Sequence, residues 1–281
     1  MKKNICSLAT LILLLAACTK EIDLDLNDDK HSRLVVEGSI TTEKKAHIIK
    51  LSRTSNYFAN EPTPRETGAT VKIFEEGSDD PFVFVETEQG VYKSDTSVFG
   101  KVGKNYTLEI TLQDGEEYSA TAFLDTVPDM DSVTYEYEEF NMNNKIFKYY
   151  ILKLWAQEPE GEGDNYLFNI FINGIWDNDT LNEAVYDNDE YIDGMYIPGV
   201  DIYGIRDEDF EDDTITVRVD MLSIPEDLIE YNIAVMMETE WKGSPFDGPP
   251  ANVPTNINNG ALGFFSASDV SSYEFELVKQ Q

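Results

Sequence analysis

The sequence predicts a mostly β protein in two parts: an N-terminal β-sandwich, then a second β-rich domain carrying one well-signed α-helix. Three observations predict it. Apolar residues recur with a period of two in run after run, the pattern that gives a strand one buried and one solvated face. Helical periodicity is confined to a stretch near residues 224–240. Turn and breaker residues collect between the runs, most densely at 54–68 and 243–263. Of the 281 residues 41% are apolar and 12% aromatic, which is enough to fill a core.

The chain opens with a leader. Lys2 and Lys3 precede a mostly apolar run from Ile5 to Ala17, the build of a secretory signal peptide over 1–17. The run is shorter than the ~20 residues a membrane-spanning helix requires. It ends Leu15-Ala16-Ala17-Cys18, which resembles a bacterial lipobox. That resemblance implies that Cys18 is acylated and becomes the first residue of the mature protein, tethered to a bilayer by its acyl chains (palmitate among them). Residues 18–31 then read as a lipidated polar tether. Its start, Thr19-Lys20-Glu21-Ile22-Asp23, resembles the surface-export signal of Bacteroidota lipoproteins, with Ile22 interrupting the acidic pair.

Residues 32–127 read as the sandwich. Leu34–Gly38 and His47–Leu51 are β-rich runs, followed by Thr70–Phe74 and Phe82–Glu86. Tyr106, Leu108, Ile110 and Leu112 alternate with Thr107, Glu109 and Thr111; Asp114-Gly115 then signals a tight turn into Glu117–Phe123. About seven short strands without a helix point to a small sandwich. Val127-Pro128-Asp129 marks the boundary, and 128–281 forms the second domain.

In that domain Val133, Tyr135 and Tyr137 alternate, Ile146–Ala156 and Tyr166–Ile172 are longer apolar strands, and Ile215, Val217, Val219 and Met221 alternate again. Ser223-Ile224-Pro225-Glu226 carries a capping serine, a first-turn proline and a glutamate three after the serine, so a helix is expected to start there. Ile229, Ile233, Met236 and Met237 form its stripe, read as core. Tyr273, Phe275 and Leu277 close the chain as a strand.

Charge excludes whole function classes. With 54 acidic against 21 basic residues the formal net charge is −33, the wrong sign for nucleic acid or for polybasic docking on anionic lipid. Both cysteines, Cys6 and Cys18, lie in the first eighteen residues, which removes disulfides, thiolate metal sites and cysteine nucleophiles from the rest. His31 and His47 are too few for a histidine-based centre. Carboxylate pairs suited to glycoside hydrolysis arise by chance among so many acids, and no motif isolates one.

The most unusual stretch is 177–213, with fourteen acids against Arg206 alone. Calcium takes six to eight oxygens, and Asp177, Asp179, Asp187, Asp189 and Asp193 are the candidate ligands. Leu181 and Tyr191 fall where an EF-hand loop needs its third ligand, so a solvated acidic loop is the competing reading. Tyr186, Tyr191, Tyr196 and Tyr203 are interleaved with the acids and suit either stacking on a ligand or anchoring of the loop. Asp125-Thr126-Val127 and Asp131-Ser132-Val133 resemble the short acceptor motif of Bacteroidota O-glycosylation, with Thr126 and Ser132 as acceptors.

Gly68-Ala69-Thr70-Val71, Gly90-Val91-Tyr92 and Gly103–Leu108 resemble an immunoglobulin-like, more closely a transthyretin or carboxypeptidase-regulatory sandwich. Pro249–Asn252, Thr255-Asn256-Ile257 and Gly260–Phe265 are similar to the closing motif of a Bacteroidota outer-membrane lipoprotein family, the domain of unknown function 4249 (DUF4249). The resemblance implies a lipoprotein of the outer membrane or cell surface that works beside a TonB-dependent β-barrel transporter, and it implies no catalytic residues. The expected function is therefore a non-enzymatic accessory or ligand-capture subunit of such a transporter. The alternative is a structural or adhesive surface lipoprotein, and the third reading is a secreted hydrolase.

Overall fold

The computed structural model describes residues 32–55, 62–142, 144–210, 212–240 and 253–280. The leader, Cys18, the rest of the tether to residue 31 and the Pro249–Asn252 part of the closing motif lie outside them. In chain order the first half contributes β1 (Leu34–Thr41), β2 (Ile48–Arg53), β3 (Thr70–Glu75), β4 (Phe82–Glu88), β5 (Val91–Lys93), β6 (Lys104–Thr111) and β7 (Glu117–Leu124). The second contributes β8 (Met130–Met142), β9 (Lys145–Gln157), β10 (Asn165–Ile172), β11 (Ile175–Trp176), β12 (Val185–Asn188), β13 (Tyr196–Arg206), β14 (Thr214–Ser223), α1 (Glu226–Glu240), β15 (Leu262–Ser268) and β16 (Val270–Val278). The protein is mostly β with a single α-helix among the described residues.

An eight-stranded sheet runs β15-β1-β2-β5-β4-β3-β6-β7. β4 turns its corner. Phe82–Phe84 pair with β3, and the strand then pairs with β5 across a bulge between Glu86 and Glu88. The two ends of the sheet return to each other, with Asp125 bridging Ser268. Alternation puts Tyr106, Leu108 and Ile110 of β6 and Tyr118, Ala120, Ala122 and Leu124 of β7 inside.

The expected domain limits need one correction. β15 belongs to the C-terminal half of the sequence, yet it pairs in parallel with β1 from Val35–Leu262 to Thr41–Ser268. Ile257, Ala261, Phe265 and Ala267 complete the first core. Without them β1 would be an open edge above an uncovered apolar interior, so 128–281 is not a self-contained domain. Gly263 permits the close approach: its φ is +99°, and a Cβ there would lie 1.8 Å from the Val36 carbonyl oxygen.

The second core lies between two sheets, β11-β10-β14-β16 (with β12 on β10) and β13-β9-β8. Tyr150, Leu152, Leu154 and Ala156 of β9 face Phe168, Ile170, Val217 and Val219 across it. No residue is shared between the two cores.

One residue, Asp269, separates β15 of the first sheet from β16 of the second. Its Oδ1 accepts from Thr42 Oγ1 (2.7 Å) and Val270 N (2.9 Å), and its Oδ2 from Val127 N (3.1 Å). Its backbone N donates to Ser223 Oγ (2.9 Å), and that hydroxyl donates to Asp125 O (2.7 Å). Ser223 is thus the last residue of β14 and ties the junction, instead of capping α1 as expected.

The helix stripe also differs from expectation. Ile229 and Met236 are half-buried, and Ile233 and Met237 are 44% and 62% exposed. The second core is already closed by its two sheets. α1 instead spans between the halves, with Tyr231 against Phe264 of β15 in the first sheet (ring centroids 5.5 Å apart) and Asn232 Nδ2 donating to Tyr186 OH of β12 in the second core (2.9 Å).

Candidate functional site

The acidic stretch 177–213 is not one loop. It contains β12, the eleven-residue β13 and a 3-10 turn at Asp207–Asp209. β13 hides in the acidic composition because its inward residues, Ile197, Ile202 and Ile205, are spaced irregularly by two breaks in register against β9. Such bulges erase the period of two.

The five calcium candidates do not converge. Asp177 accepts from Tyr203 OH (2.9 Å); burial, and then this carboxylate, pushes the phenol's pKa up. Asp179 and Asp187 are exposed on other parts of the chain. Asp193 is exposed, and its Oδ1 accepts from Gly161 N (2.7 Å). Asp189 alone is buried, at 4% exposure. Of the interleaved tyrosines, Tyr191 and Tyr196 are exposed, whereas Tyr186 and Tyr203 are half-buried and serve as anchors.

Asp189 joins a cluster that spacing within 177–213 could not reveal. Oxygens of Glu158, Asp164 and Asp189 lie within 4.8 Å of one another, the one such set of three among the described residues. Glu158 follows β9 and is fixed by its N–H to Met195 O (2.9 Å). Gly161 and Gly163, at φ +137° and +117°, let the chain turn back sharply into β10. Gly163 N donates to Asp189 Oδ2 (2.8 Å), Asp189 N to Asp164 O (3.2 Å) and Gly194 N to Pro159 O (3.0 Å). Two loops, 158–164 and 189–195, are thereby zipped face to face.

The electrostatics are unusual. Glu158 is 1% exposed; its Oε1 accepts from Tyr166 OH (2.7 Å), and its Oε2 is buried with no hydrogen-bond partner. Burial, then repulsion by Asp164, Asp189 and Asp193, pushes its carboxyl above the usual range. Burial and the charges of Asp125 and Asp189 push Asp164 the same way. The donor set is all oxygen, which suits a hard cation or a shared proton. The signal in the sequence was Pro159-Glu160-Gly161-Glu162-Gly163-Asp164, a Gly-acid run outside the stretch that drew attention.

Two further features frame the site. β13 ends opposite Tyr149, so the last four pairs of the β8–β9 ladder, Glu139–Lys148 to Met142–Lys145, project as a two-stranded ribbon. The ribbon presents Phe140 (44% exposed), Met142 (62%) and Ile146 (55%) beside Lys145 and Lys148. At the junction a cleft of about 270 Å³ is lined by Phe123, Asp125, Glu226 and Phe264, among others.

Of the expected acceptor hydroxyls, Thr126 is exposed in the linker after β7. Ser132 is half-buried in β8 opposite Trp155. His47 is buried, with Nε2 3.2 Å from Val98 O, and burial lowers its pKa; it holds the turn after β5.

No curated protein matches the chain. Residues 19–274 match the family described as Domain of unknown function (DUF4249), a span that takes in the first core, the buried residues of the second except Leu277, the Asp269 junction, the carboxylate cluster and the ribbon, and the chain belongs to that family.

Proposed function

We propose that the protein is a lipid-anchored, non-enzymatic lipoprotein of the outer membrane or cell surface that acts as an accessory or ligand-capture subunit of a TonB-dependent transporter. The observation that carries this reading is the projecting ribbon. It exposes large apolar side chains at the end of β8 remote from the junction. The chain enters the first sheet at Leu34, the end of β1 remote from the same junction. At ~3.3 Å per residue, β1 spans about 23 Å and the course of β8 about 40 Å. A protein tethered at Cys18 would carry the ribbon on its other core, away from the anchor. Isolated exposed apolar residues are ordinary, but a projecting two-stranded arm with Phe140 and Met142 on one face and Ile146 on the other is the form of an element that inserts between partner surfaces.

The test is copurification of the full-length protein from detergent-solubilised membranes. The expected partner is a large β-barrel, retained by wild type and lost in the Phe140→Ser/Ile146→Ser double variant. Cys18→Ala is expected to abolish acyl labelling and release the protein from the membrane fraction. A labelled, anchored protein with no barrel partner would favour the structural or adhesive reading. Turnover of peptide or glycan substrates would favour a hydrolase.

A further inference from the structure

We propose that Glu158, Asp164 and Asp189 form a binding site for a divalent hard cation, calcium by size and donor chemistry, which locks the 158–164 loop to the 189–195 loop. The inference is independent of the transporter reading.

The geometry fits one coordination sphere. Calcium–oxygen distances of ~2.3–2.6 Å place two ligands of one ion at most ~5.2 Å apart. The three ligand atoms lie within 4.8 Å of one another. Magnesium, at ~2.1 Å, allows at most ~4.2 Å and would require the site to contract. With neither sulfur nor imidazole in the set, zinc and copper are disfavoured.

The second observation is Glu158 itself. A carboxylate 1% exposed, with Oε2 buried and unpartnered, is costly unless something takes that lone pair. The charges that face Glu158 and Asp164 are all acidic: each other, Asp125, Asp189 and Asp193. Either a proton or a cation must relieve them. The surroundings favour a cation. Tyr166 OH and Gly163 N already hold Glu158 and Asp189 by one oxygen each, as outer hydrogen bonds do around a metal centre. Three carboxylates supply three to six oxygens, and water can complete the sphere. Each of the two loops that the site joins crosses between the sheets of the second core, 158–164 from β9 to β10 and 189–195 from β12 to β13. A bound ion would therefore cross-link that core at one end.

The full-length protein, stripped with chelator, is titrated with calcium chloride by calorimetry and followed by thermal melting. One calcium per chain is expected, with half-saturation on the order of 0.1–1 mM, the range of extracellular modules. At tenfold over half-saturation the melting temperature should rise by about 2–4 °C. Terbium should luminesce through tyrosine sensitisation, because Tyr166 sits beside the site. Glu158→Gln and Asp189→Asn should each weaken binding at least tenfold. Asp164→Asn, at a half-buried position, guards against a variant that fails to fold. Absence of a calcium response in folded wild type at 10 mM overturns the proposal. So does a protein that acid stabilises but saturating calcium at pH 7 does not, which would mean that the carboxylates share protons and take no ion. Binding that survives both Glu158→Gln and Asp164→Asn also overturns it, because the ion would then sit elsewhere on the acidic surface.

Discussion

The two halves of the molecule treat their acids in opposite ways. In the first, Glu75 is pushed up by its own burial, but hydrogen bonds from Lys101 Nζ (2.7 Å) and Tyr106 OH (3.0 Å) outweigh this and hold its carboxyl below the usual range. Asn105 does the same for Glu76, and Ser97 for Asp95. In the second, Glu158 and Asp164 sit among other acids and are pushed up. The chain as a whole carries a net charge of −33, yet only the local supply of donors decides whether a given carboxylate steadies or strains the fold. Acids that meet hydroxyls and amides belong to the architecture. Acids that meet one another mark a place where something else is wanted.

The largest expected effect tests whether the halves are separable at all. Phe265→Ala empties a site 0% exposed in the first core, at a cost of about 3–5 kcal/mol in urea unfolding. Amide exchange should accelerate at Leu108 and Ile110 and be retained at Val217 and Val219. Equal loss in both would make the molecule one cooperative unit and dissolve the contrast.

Asp269→Ala comes next, removing the acceptor for Thr42, Val127 and Val270 at about 2–4 kcal/mol. Because Asp269 touches both sheets, protection should fall on each side of the junction. A loss confined to one side would mean the junction belongs to that unit alone.

Charge removal sharpens the contrast by sign. In chelator at pH 7, Glu158→Gln should raise stability by about 1–3 kcal/mol, because the new amide can donate to neighbouring carboxylates and a buried charge disappears. Glu75→Gln should lower it by no more than about 1 kcal/mol, since its Lys101 partner is largely exposed. Matching signs in thermal melts would erase the distinction.

The smallest effect is the pH profile of the metal-free protein. Glu158 has a raised pKa in the fold, so its stabilising contribution is complete below the ordinary value of 4.5 and is lost as pH rises through the raised one. Glu75 has a lowered pKa, so its contribution is present above 4.5 and is lost as pH falls through the lowered value. Melting temperature should therefore rise as pH drops from 7 towards 4.5 and decline below it. In Glu158→Gln the upper slope should flatten.

Local pattern made the strands legible wherever one face was buried and the ladder regular, as in β6 and β14. It failed where a bulge broke the alternation, as in β13, and where a polar residue had a tertiary partner, as with Ser223. The start of α1 could be read from its proline and acids, but not which side of it would be covered, because that depends on sheets already closed without it. The return of β15 to β1 left only a hint, the buried run Leu262–Ser268, since a run buried along its length does not name its neighbour. Of the carboxylate cluster, Asp189 was among the residues singled out. Glu158 and Asp164 were missed because their proximity is created by two loops zipped together across the fold.

The parallel pairing of β1 with β15 also sets an order of events. Arg33, just before β1, donates to Gly260 O across 227 positions of sequence. While the chain emerges from its N-terminus, β1 has β2 on one side and nothing on the other, and Val36 and Ile40 lie at an unfinished seam. Closure of so distant a ladder is slow compared with a local hairpin, although the loop penalty grows only logarithmically with length. The strand that finishes the first sheet is followed, one residue later, by the strand that pairs with β14 in the second. Both seams are therefore sealed in the same late step, and a chain halted before Leu262 would be left with two open edges, each a template for the next such chain.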